Sequence, residues 1–273
     1  MKILWKDKFI EKDKIVYWIR EWFEVNGDEN TKAIIGISGG KDSTVAAALC
    51  VEALGKNRVV GVLMPKGEQR DIEDAKNVTR LLDIKSKIID IEPAYNKIEV
   101  MVRKFFNYEE DCKKDVLINI QPRIRMTLLY AIAAQYGNAR VVCTDNASES
   151  YVGYSTKFGD LAGDLAPLAE VPASLVVDIG RAIAYTIPEL LPLVEKTPSD
   201  GLSGKTDEDA LGFSYNQLDN YLFNSEYVSA DIADLIETRH RNNLHKNSIV
   251  IPRYHVTITD TVNTDEDAIY VET

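Results

Sequence analysis

Residues 36–43 of the 273-residue chain read GISGGKDS and join two segments of different character. The run TKAII (31–35) before them has the composition of a buried strand, and TVAAALCVEALG (44–55) after them has that of a helix. Gly39 and Gly40 let the backbone approach an anion closely, and the N–H groups that open the helix add donors and partial positive charge. The stretch therefore predicts a phosphate-binding turn between a strand and a helix.

This octet fits neither of the two familiar phosphate loops. A Walker A loop requires Ser or Thr after its Gly-Lys pair, whereas Asp42 follows Lys41, and the dinucleotide fingerprint G-x-G-x-x-G fails at Ser38. A carboxylate in the first helical turn would repel a phosphate unless a divalent cation bridges them, so Asp42 predicts Mg²⁺. The structural alternative is that Asp42 and Ser43 only cap the helix.

Strand-like and helix-like segments alternate outward from the octet. Such alternation calls for right-handed crossovers and predicts an α/β fold, in which helices flank a doubly wound parallel sheet. The predicted strands cover 33–37, 58–64, 86–91 and 139–144, and the predicted helices cover about 8–25, 42–54, 71–83, 93–106 and 115–136.

The helical periodicity weakens from 145 to 206, where Gly, Asp, Pro and Ser become frequent, so we expect a long loop there, either functional or disordered. Two more helices are predicted at about 207–223 and 228–243, as a C-terminal helical embellishment. No internal repeat or linker divides the chain, which predicts a single domain. Its parts are an N-terminal helix (1–30), an α/β nucleotide-binding core (31–168), a loop and helical segment (169–247) and a C-terminal tail (248–273).

Charge and composition exclude several classes of protein. The chain has 32 basic and 43 acidic residues and a net charge of −11, which argues against nucleic acid as a partner. No apolar run is long enough to span a membrane, and charges interrupt the N-terminus where an export signal would have its apolar core. Three widely spaced cysteines indicate neither a disulfide framework nor a zinc site. We therefore expect a cytoplasmic enzyme.

The octet resembles the PP-loop of the N-type ATP pyrophosphatases, which follows the pattern S-G-G-x-D-S. In that superfamily the loop holds the β,γ-pyrophosphate that leaves when ATP adenylates a substrate. The resemblance implies the adenine nucleotide alpha hydrolase-like form of the doubly wound sheet. It also implies the type of reaction but not the substrate, because several amidating and thiolating enzymes share the loop.

Longer segments resemble the NAD synthetase family in particular. TDNASESYVGYSTKFGDLAGDLAPL (144–168) is similar to its T-D-x-x-x-E signature, and QPRIRM (121–126) to its Q-A-R-x-R-M helix. The segments KTPSDGLSGKTDEDALGFSYNQLDNYL (196–222) and LHK (244–246) resemble two further family motifs. The resemblance implies that ATP and ammonia convert deamido-NAD (nicotinic acid adenine dinucleotide) into NAD, through a nicotinyl-adenylate and with release of AMP and pyrophosphate.

The family resemblance also implies roles for individual residues. Asp42 and Glu149 are the expected Mg²⁺ ligands, and they are the expected catalytic residues together with Ser43 and Lys157. The expected ATP contacts are Gly36, Ile37, Ser38, Gly39, Gly40, Lys41, Asp42, Ser43, Gln69, Thr144 and Ser199. The expected contacts of deamido-NAD are Arg123, Lys157, Asp164, His245 and Lys246.

Residue chemistry supports part of this assignment independently. Ser38 and Thr144 each end a strand-like run, and if these strands are neighbours both residues lie at the carboxyl edge of the sheet, where α/β proteins bind ligands. Glu149 would then share a cation with Asp42, since carboxylate, phosphate and water oxygens suit Mg²⁺. Spacing alone leaves alternatives open: Arg123 is equally suited to an interface salt bridge, and His245 and Lys246 to the end of a helix dipole.

The sequence departs from the family pattern at two basic positions. Ala173 stands where the family places a lysine that reaches ATP, and Asn247 replaces the arginine of the terminal H-K-R. We hypothesise that Lys205 or Lys196, in the adjoining loop, supplies the missing cation.

Partners and rival functions follow from the same features. Glutamine-dependent relatives carry a separate amidase domain, for which this chain is too short, so we expect free ammonia or ammonia from a partner chain. A homodimer is expected because relatives are dimeric. The rivals are another PP-loop enzyme, such as a tRNA thiolase, which would want a basic surface and catalytic cysteines, and a non-catalytic adenine-nucleotide sensor.

Overall fold

A four-stranded parallel sheet with strand order β3-β2-β1-β4 forms the centre of the fold. The structure is a computed structural model that describes residues 7–69, 71–106, 114–197, 206–224 and 228–247. The strands are β1 (Lys32–Gly36), β2 (Val59–Leu63), β3 (Lys85–Ile88) and β4 (Ala139–Val142).

Helices surround this sheet, and within the described ranges none is long and apolar enough to cross a membrane. Those that precede or connect the strands are α1 (Lys8–Val25), α2 (Lys41–Leu54), α3 (Ile72–Leu81), α4 (Glu92–Phe105) and α5 (Lys114–Tyr136). Those that follow the sheet are α6 (Ala147–Val152), α7 (Ala173–Ala184), α8 (Leu191–Val194), α9 (Asp207–Leu211), α10 (Tyr215–Asp219) and α11 (Ala230–Asn247).

The sheet is covered on both faces, because successive side chains of a strand point to opposite sides. Ala33 and Ile35 of β1 belong to a buried cluster with residues of α1, α2, α3 and α7. Ile34, between them, belongs to a second cluster with residues of α4 and α5. Near-continuous burial of β1 and β2 is typical of a sheet enclosed by helices. The predicted doubly wound α/β architecture is confirmed.

Strand order reverses direction between β1 and β4. The chain runs from β1 outward through β2 to β3 and then returns to the other side of β1, where β4 pairs in parallel with Ile34 opposite Val141. The condition set from the sequence, that the strands before Ser38 and Thr144 are neighbours, is met. Loops at such a reversal part from one another and leave a crevice at the carboxyl edge of the sheet.

The long predicted loop at 145–206 is wrong over much of its length. It contains α6, α7 and α8, and α7 packs against α1 and α2. Leu175, Val176, Ile179 and Ile183 of α7 are buried at helical spacing. The clusters of Gly, Asp and Pro on either side of α7 hid this periodicity, which covers only 12 residues.

The single helix predicted at 207–223 is also wrong, because the chain turns at Gly212. Gly212 has φ +86°, a left-handed conformation that ends α9, and Ser214 then caps α10 by accepting a hydrogen bond from Gln217 N. Residues Asn220–Asn224 continue as a π-helical turn. The break matters because it turns Asp207 and Tyr215 toward each other.

Candidate active site

A cavity of about 840 Å³ lies at the carboxyl edge of the sheet, where β1 and β4 part. The phosphate-loop octet forms one wall, and Thr144 and Glu149 form the opposite wall. Residues of α5, α9 and α11 complete it, so segments far apart in sequence enclose one volume. Other residues that line it include Gln69, Arg125, Asp145, Asp160, Lys196 and Arg239.

The loop conformation depends on Gly39. Its φ is +83°, and a Cβ there would lie 2.7 Å from both Ala75 N and Asp74 Cβ of α3. A side chain at this position would therefore be strained and would collide with α3. Gly40 is the N-cap of α2, and no side chain caps the helix. The loop thus leaves the positive end of α2 directed at the cavity, as an anion site requires.

Ser38 and Ser43 hold the loop closed on itself. Ser38 N donates to Ser43 Oγ at 3.3 Å, the two hydroxyl oxygens are 3.0 Å apart, and Ser43 Oγ donates to Gly40 O at 3.2 Å. Gly40 N donates to Ser38 Oγ at 3.2 Å. Neither Asp42 nor Ser43 accepts a capping bond from the helix, so the structural alternative for these residues is not supported.

Asp42 and Glu149 face each other across the cavity and contact the same ammonium. Lys41 Nζ lies 2.6 Å from Asp42 Oδ2 and 3.7 Å from Glu149 Oε1. The Lys41 side chain is only 5% exposed, and burial alone would lower its pKa. The carboxylates of Asp42 and Glu149 outweigh that effect and raise the pKa of Lys41 above its ordinary value.

Asn146 links the carboxylate of Asp42 to the backbone of Glu149. Its Nδ2 donates to Asp42 Oδ1 at 3.0 Å, and its Oδ1 accepts a hydrogen bond from Glu149 N at 3.0 Å as the N-cap of α6. Asn146 is fully buried. A single amide side chain therefore fixes the loop after β1 to the helix after β4. Rotation of this side chain would break both hydrogen bonds.

Tyr215 joins a third carboxylate to the group. Its hydroxyl oxygen lies 3.2 Å from Glu149 Oε1 and 3.2 Å from Asp207 Oδ2, and Tyr154 donates to Asp207 Oδ1 at 3.2 Å. Because a phenol carries one proton, it donates to one of these carboxylates at a time. Lys41 Nζ also lies 5.1 Å from the centroid of the Tyr215 ring, a cation–π contact.

Several acids in one little-exposed cavity raise each other's pKa. Burial and the nearby carboxylate of Asp42 raise the pKa of Glu149 to about 8. Burial, with Asp160 and Glu149 nearby, raises the pKa of Asp145 well above its ordinary value. Asp145 Oδ2 is buried without a hydrogen-bond partner. The walls thus carry excess negative charge that a cation would relieve.

These residues fit a hard divalent cation only in part. Within the described ranges, no three Asp, Glu, His or Cys side chains converge as a complete metal site. Asp42 and Glu149 supply two carboxylates in one cavity, and oxygen ligands of this kind suit Mg²⁺. The protein therefore provides part of a coordination shell that phosphate and water oxygens would have to complete.

Three of the predicted substrate contacts meet at the end of α11. Lys157 Nζ donates to His245 O at 2.6 Å, and Lys246 Nζ donates to Gly153 O at 2.7 Å. Lys157 and Lys246 line a smaller cavity of about 220 Å³ together with Phe158, and Lys246 also lines the main cavity. The His245 side chain is exposed. The structure thus brings these three residues together beside the main cavity.

Two other predicted contacts lie outside both cavities. Arg123 is exposed, and its Nε donates to Lys157 O at 3.3 Å. Asp164 accepts a hydrogen bond from Val141 N at 2.7 Å and so anchors the chain to β4. Arg125, two residues beyond Arg123 in the same motif, lines the main cavity instead, where its Nε donates to Met64 O at 3.0 Å.

The remaining predicted positions divide into two groups. Gln69 lines the main cavity, and so does Lys196, which pairs with Asp74 at 2.7 Å and Asp71 at 3.2 Å. Ala173 is 1% exposed and packs in an apolar cluster with Tyr215 and Leu218, so it does not line the cavity. Ser199, Lys205 and the side chain of Asn247 lie outside the described residues.

Sequence reasoning missed Asn146, Asp207, Tyr215 and Arg239. Asn146 and Tyr215 stand within segments that match the family, so their positions were visible but their partners were not. Asp207 opens α9 and Arg239 lies on α11, and only the fold reveals that both face the cavity.

Replacement of Asn146 by Ala is expected to lower the free energy of unfolding by about 1–3 kcal/mol, because the α6 cap and the bond to Asp42 are lost together. Urea unfolding followed by circular dichroism measures this. Asn216→Ala, at an exposed position of α10, is the matched control and should stay within about 0.5 kcal/mol of wild type. Equal effects of the two substitutions would contradict the role of Asn146.

The chain is similar to known proteins over most of its length. Residues 11–250 match the family model described as NAD synthase. A protein of Pyrococcus furiosus described as NH3-dependent NAD+ synthetase is 38% identical over 253 residues, which cover 88% of this chain and 93% of that protein.

Two solved structures resemble the fold closely. An NMN synthetase from Francisella tularensis superposes with a TM-score of 0.80 at 32% identity, over 92% of this chain and 100% of the other. An NH3-dependent NAD synthetase from Campylobacter jejuni gives 0.71 at 25% identity, over 92% and 100% of the two chains. The resemblance stated from the sequence is confirmed: the chain belongs to the NAD synthase family.

Proposed function

We propose that this chain is an ammonia-dependent ligase that uses ATP to amidate deamido-NAD, the final step of NAD biosynthesis. The observation that carries the proposal is the cavity between β1 and β4, where a PP-loop faces Glu149 across the crevice. Family membership supplies the reaction, and the residues of the cavity supply the chemistry that it needs. The helical segment after residue 168 lines the same cavity, which supports one catalytic unit.

ATP would lie with its phosphates on the loop from Gly36 to Ser43. The uncapped N-terminus of α2 stabilises negative charge there, and Gly39 permits the close approach. Thr144 and Gln69 line the same cavity and are proposed to contact the nucleotide. Ser199 keeps its proposed role from the family resemblance alone.

Asp42 and Glu149 would hold Mg²⁺ together with phosphate and water oxygens. When bound, the ion neutralises charge on the leaving pyrophosphate. The protein's own part is to present two carboxylates at a fixed spacing, which Asn146 secures from behind. Ser43 is proposed to assist by keeping the loop closed beneath the phosphates.

Deamido-NAD carries a pyrophosphate and a carboxylate, so its pocket needs cations despite the acidic surface of the chain. Lys157 and Lys246 are proposed to supply them beside the main cavity, with Arg123 and His245, which contact Lys157, as further candidates. Asp164 contributes by fixing the segment that carries Lys157 to β4. These cations would orient the nicotinate toward the α-phosphorus of ATP.

The reaction then has two steps. An oxygen of the nicotinate carboxylate attacks the α-phosphorus, and the bond to the β,γ-pyrophosphate breaks. Ammonia next attacks the carbonyl carbon of the nicotinyl-adenylate, AMP leaves with its bonding electron pair, and the nitrogen gives up a proton to form the amide. The second step also requires that water, a competing nucleophile, be kept from the carbonyl carbon.

A second candidate substrate is nicotinate mononucleotide. The Francisella tularensis protein, an NMN synthetase, gives a higher TM-score than the Campylobacter jejuni enzyme. The mononucleotide presents the same carboxylate, so adenylation and amidation would proceed on the same atoms. The two candidates differ only in what lies beyond the ribose phosphate.

A homodimer is proposed on the basis of an exposed apolar stripe along α4. Ile98, Met101 and Phe105 are spaced at three and four residues, and they are 37%, 69% and 79% exposed. Such a stripe on one helix face marks an interaction surface. Because the proposed reaction uses soluble nucleotides, we propose a cytoplasmic location.

The purified chain, with ATP, Mg²⁺ and ammonium, is expected to release pyrophosphate and form the amide when deamido-NAD is added. Parallel reactions with nicotinate mononucleotide and xanthosine monophosphate, followed by chromatography of the products, identify the acid that is used. Turnover only with the mononucleotide would support the second candidate. Failure to release pyrophosphate with any acid would contradict an enzymatic role.

Met101→Glu is expected to convert a dimer into a monomer, because the substitution places a charge in the centre of the apolar stripe. Size-exclusion chromatography with light scattering measures the mass. Val25→Glu, at an exposed position of α1, is the control and should leave the mass unchanged. A monomeric wild-type chain would contradict the proposed dimer.

A further inference from the structure

Lys41 occupies the position that the S-G-G-x-D-S pattern leaves open. Its side chain makes contacts to which the proposed function assigns no role. Instead of extending over the loop toward the place of the phosphates, it lies between Asp42 and Glu149. Its ammonium contacts both carboxylates that are proposed to hold the metal. A cation of the protein thus stands between the two metal ligands.

We propose that Lys41 is a movable cation: it pairs with Asp42 and Glu149 in the free enzyme and passes to the triphosphate when metal and ATP bind together. Two consequences follow. The free enzyme does not take up a divalent cation at Asp42 and Glu149, and Lys41 supplies the ATP contact that the family pattern led us to expect at position 173. The inference rests on the proposed function only for the identity of the nucleotide.

The Lys41 ammonium and a divalent cation would compete for the same carboxylate oxygens. Lys41 Nζ lies 2.6 Å from Asp42 Oδ2, at hydrogen-bond distance, and 3.7 Å from Glu149 Oε1. A divalent cation that binds both carboxylates must displace this ammonium. The Lys41 side chain is 5% exposed, so loss of both anionic partners would leave a buried charge unpaired, which costs free energy. A cation that arrives with a polyphosphate provides the displaced ammonium with new anionic partners.

Lys41 can reach the proposed phosphate site from its place in the loop. Lys41 is the first residue of α2, in the loop whose backbone is proposed to hold the phosphates. Its stem is a flexible chain of four carbons, so the ammonium can leave the carboxylates and still remain at the anion site. Asp42 is held by Asn146 as well, so it keeps its place when the ammonium departs.

Ala173 stands where the family pattern places a lysine. Ala173 is buried in the apolar cluster that contains Tyr215, and its N–H donates to Ser148 Oγ at 2.9 Å. Tyr215 is also the ring beneath the Lys41 ammonium. Ala173 and the Lys41 ammonium therefore both lie near Tyr215. In this proposal the cation near Tyr215 comes from the loop after β1 and not from α7.

The rival hypothesis is Lys196, which was considered from the sequence. Lys196 lines the cavity, but Asp71 and Asp74 of the α3 terminus hold it, and neither is a proposed metal ligand. These ion pairs would hold the segment after α8 against α3, a structural role that involves no contact with ATP. The two lysines make different predictions, so one set of variants separates them.

The test of the first consequence uses Mn²⁺ alone, as a paramagnetic probe of the nucleotide-free chain. Wild type is expected to show no Mn²⁺ site at Asp42 and Glu149, whereas Lys41→Met gains one site that the double variant K41M/E149Q loses. Counting free Mn²⁺ by electron paramagnetic resonance measures this without turnover. A wild-type site that is as tight as that of Lys41→Met, or no gain in the variant, would overturn the proposal.

The test of the second consequence measures the affinity for ATP at saturating Mg²⁺ by calorimetry. Lys41→Met is expected to weaken ATP binding by roughly tenfold or more, the scale of one charge-assisted hydrogen bond. Lys76→Met removes an exposed lysine of α3 that pairs with Glu73 and should not change the affinity. Weaker binding in Lys196→Met together with unchanged binding in Lys41→Met would overturn the proposal in favour of the rival.

The two tests separate this inference from the proposed function. The Mn²⁺ experiment needs neither deamido-NAD nor ammonia, so a chain without amidating activity can still confirm or contradict the role of Lys41. A wild-type chain that fails to bind ATP would contradict both the proposed function and the transfer of Lys41 to the triphosphate.

Discussion

The parallel pairing of β1 with β4 is the constraint on which the rest of the site depends. It brings the loop after β1 and the loop after β4 to one edge of the sheet, although Asp42 and Glu149 are far apart in sequence. Backbone hydrogen bonds of the sheet set the distance between the two loops, and Asn146 fixes it more finely through its bonds to both. The buried sheet therefore sets the relative positions of the two loops. Electrostatic catalysis requires charged groups that are already in place, and this arrangement provides them.

Sequence patterns predicted the elements near the site better than those behind it. The strand, glycine turn and helix around Gly39 were predictable because each local preference agrees with the fold, and the parallel sheet followed from the alternation of strands with helices. The pairing of β1 with β4 was only a condition in the sequence argument, because no local pattern encodes strand order. Helix α7 was missed because its apolar residues stand between Gly- and Pro-rich segments, and the break at Gly212 was missed because a single glycine inside a helical pattern is often tolerated. Both errors concern the half of the chain that closes the cavity.

Residue types at the site were predictable, but their partners were not. Asp42, Glu149 and Lys157 were visible in motifs, whereas the contact of Lys41 with both carboxylates arises only when two loops meet. The same holds for Ala173, whose replacement of a family lysine looked like a loss of charge at the cavity. The structure places Ala173 inside an apolar cluster, so the lost cation has to be sought elsewhere in the chain. Electrostatic roles of this kind depend on tertiary distances, which no local pattern encodes.

The central claim is that this loop serves adenylation, in which the carboxylate attacks the α-phosphorus and pyrophosphate leaves intact. The most direct measurement uses deamido-NAD with ¹⁸O in its nicotinate carboxylate and follows the label by mass spectrometry. Our account predicts that one labelled oxygen appears in AMP and none in pyrophosphate. Label in pyrophosphate or orthophosphate, or formation of ADP, would show attack at another phosphorus and would contradict the account.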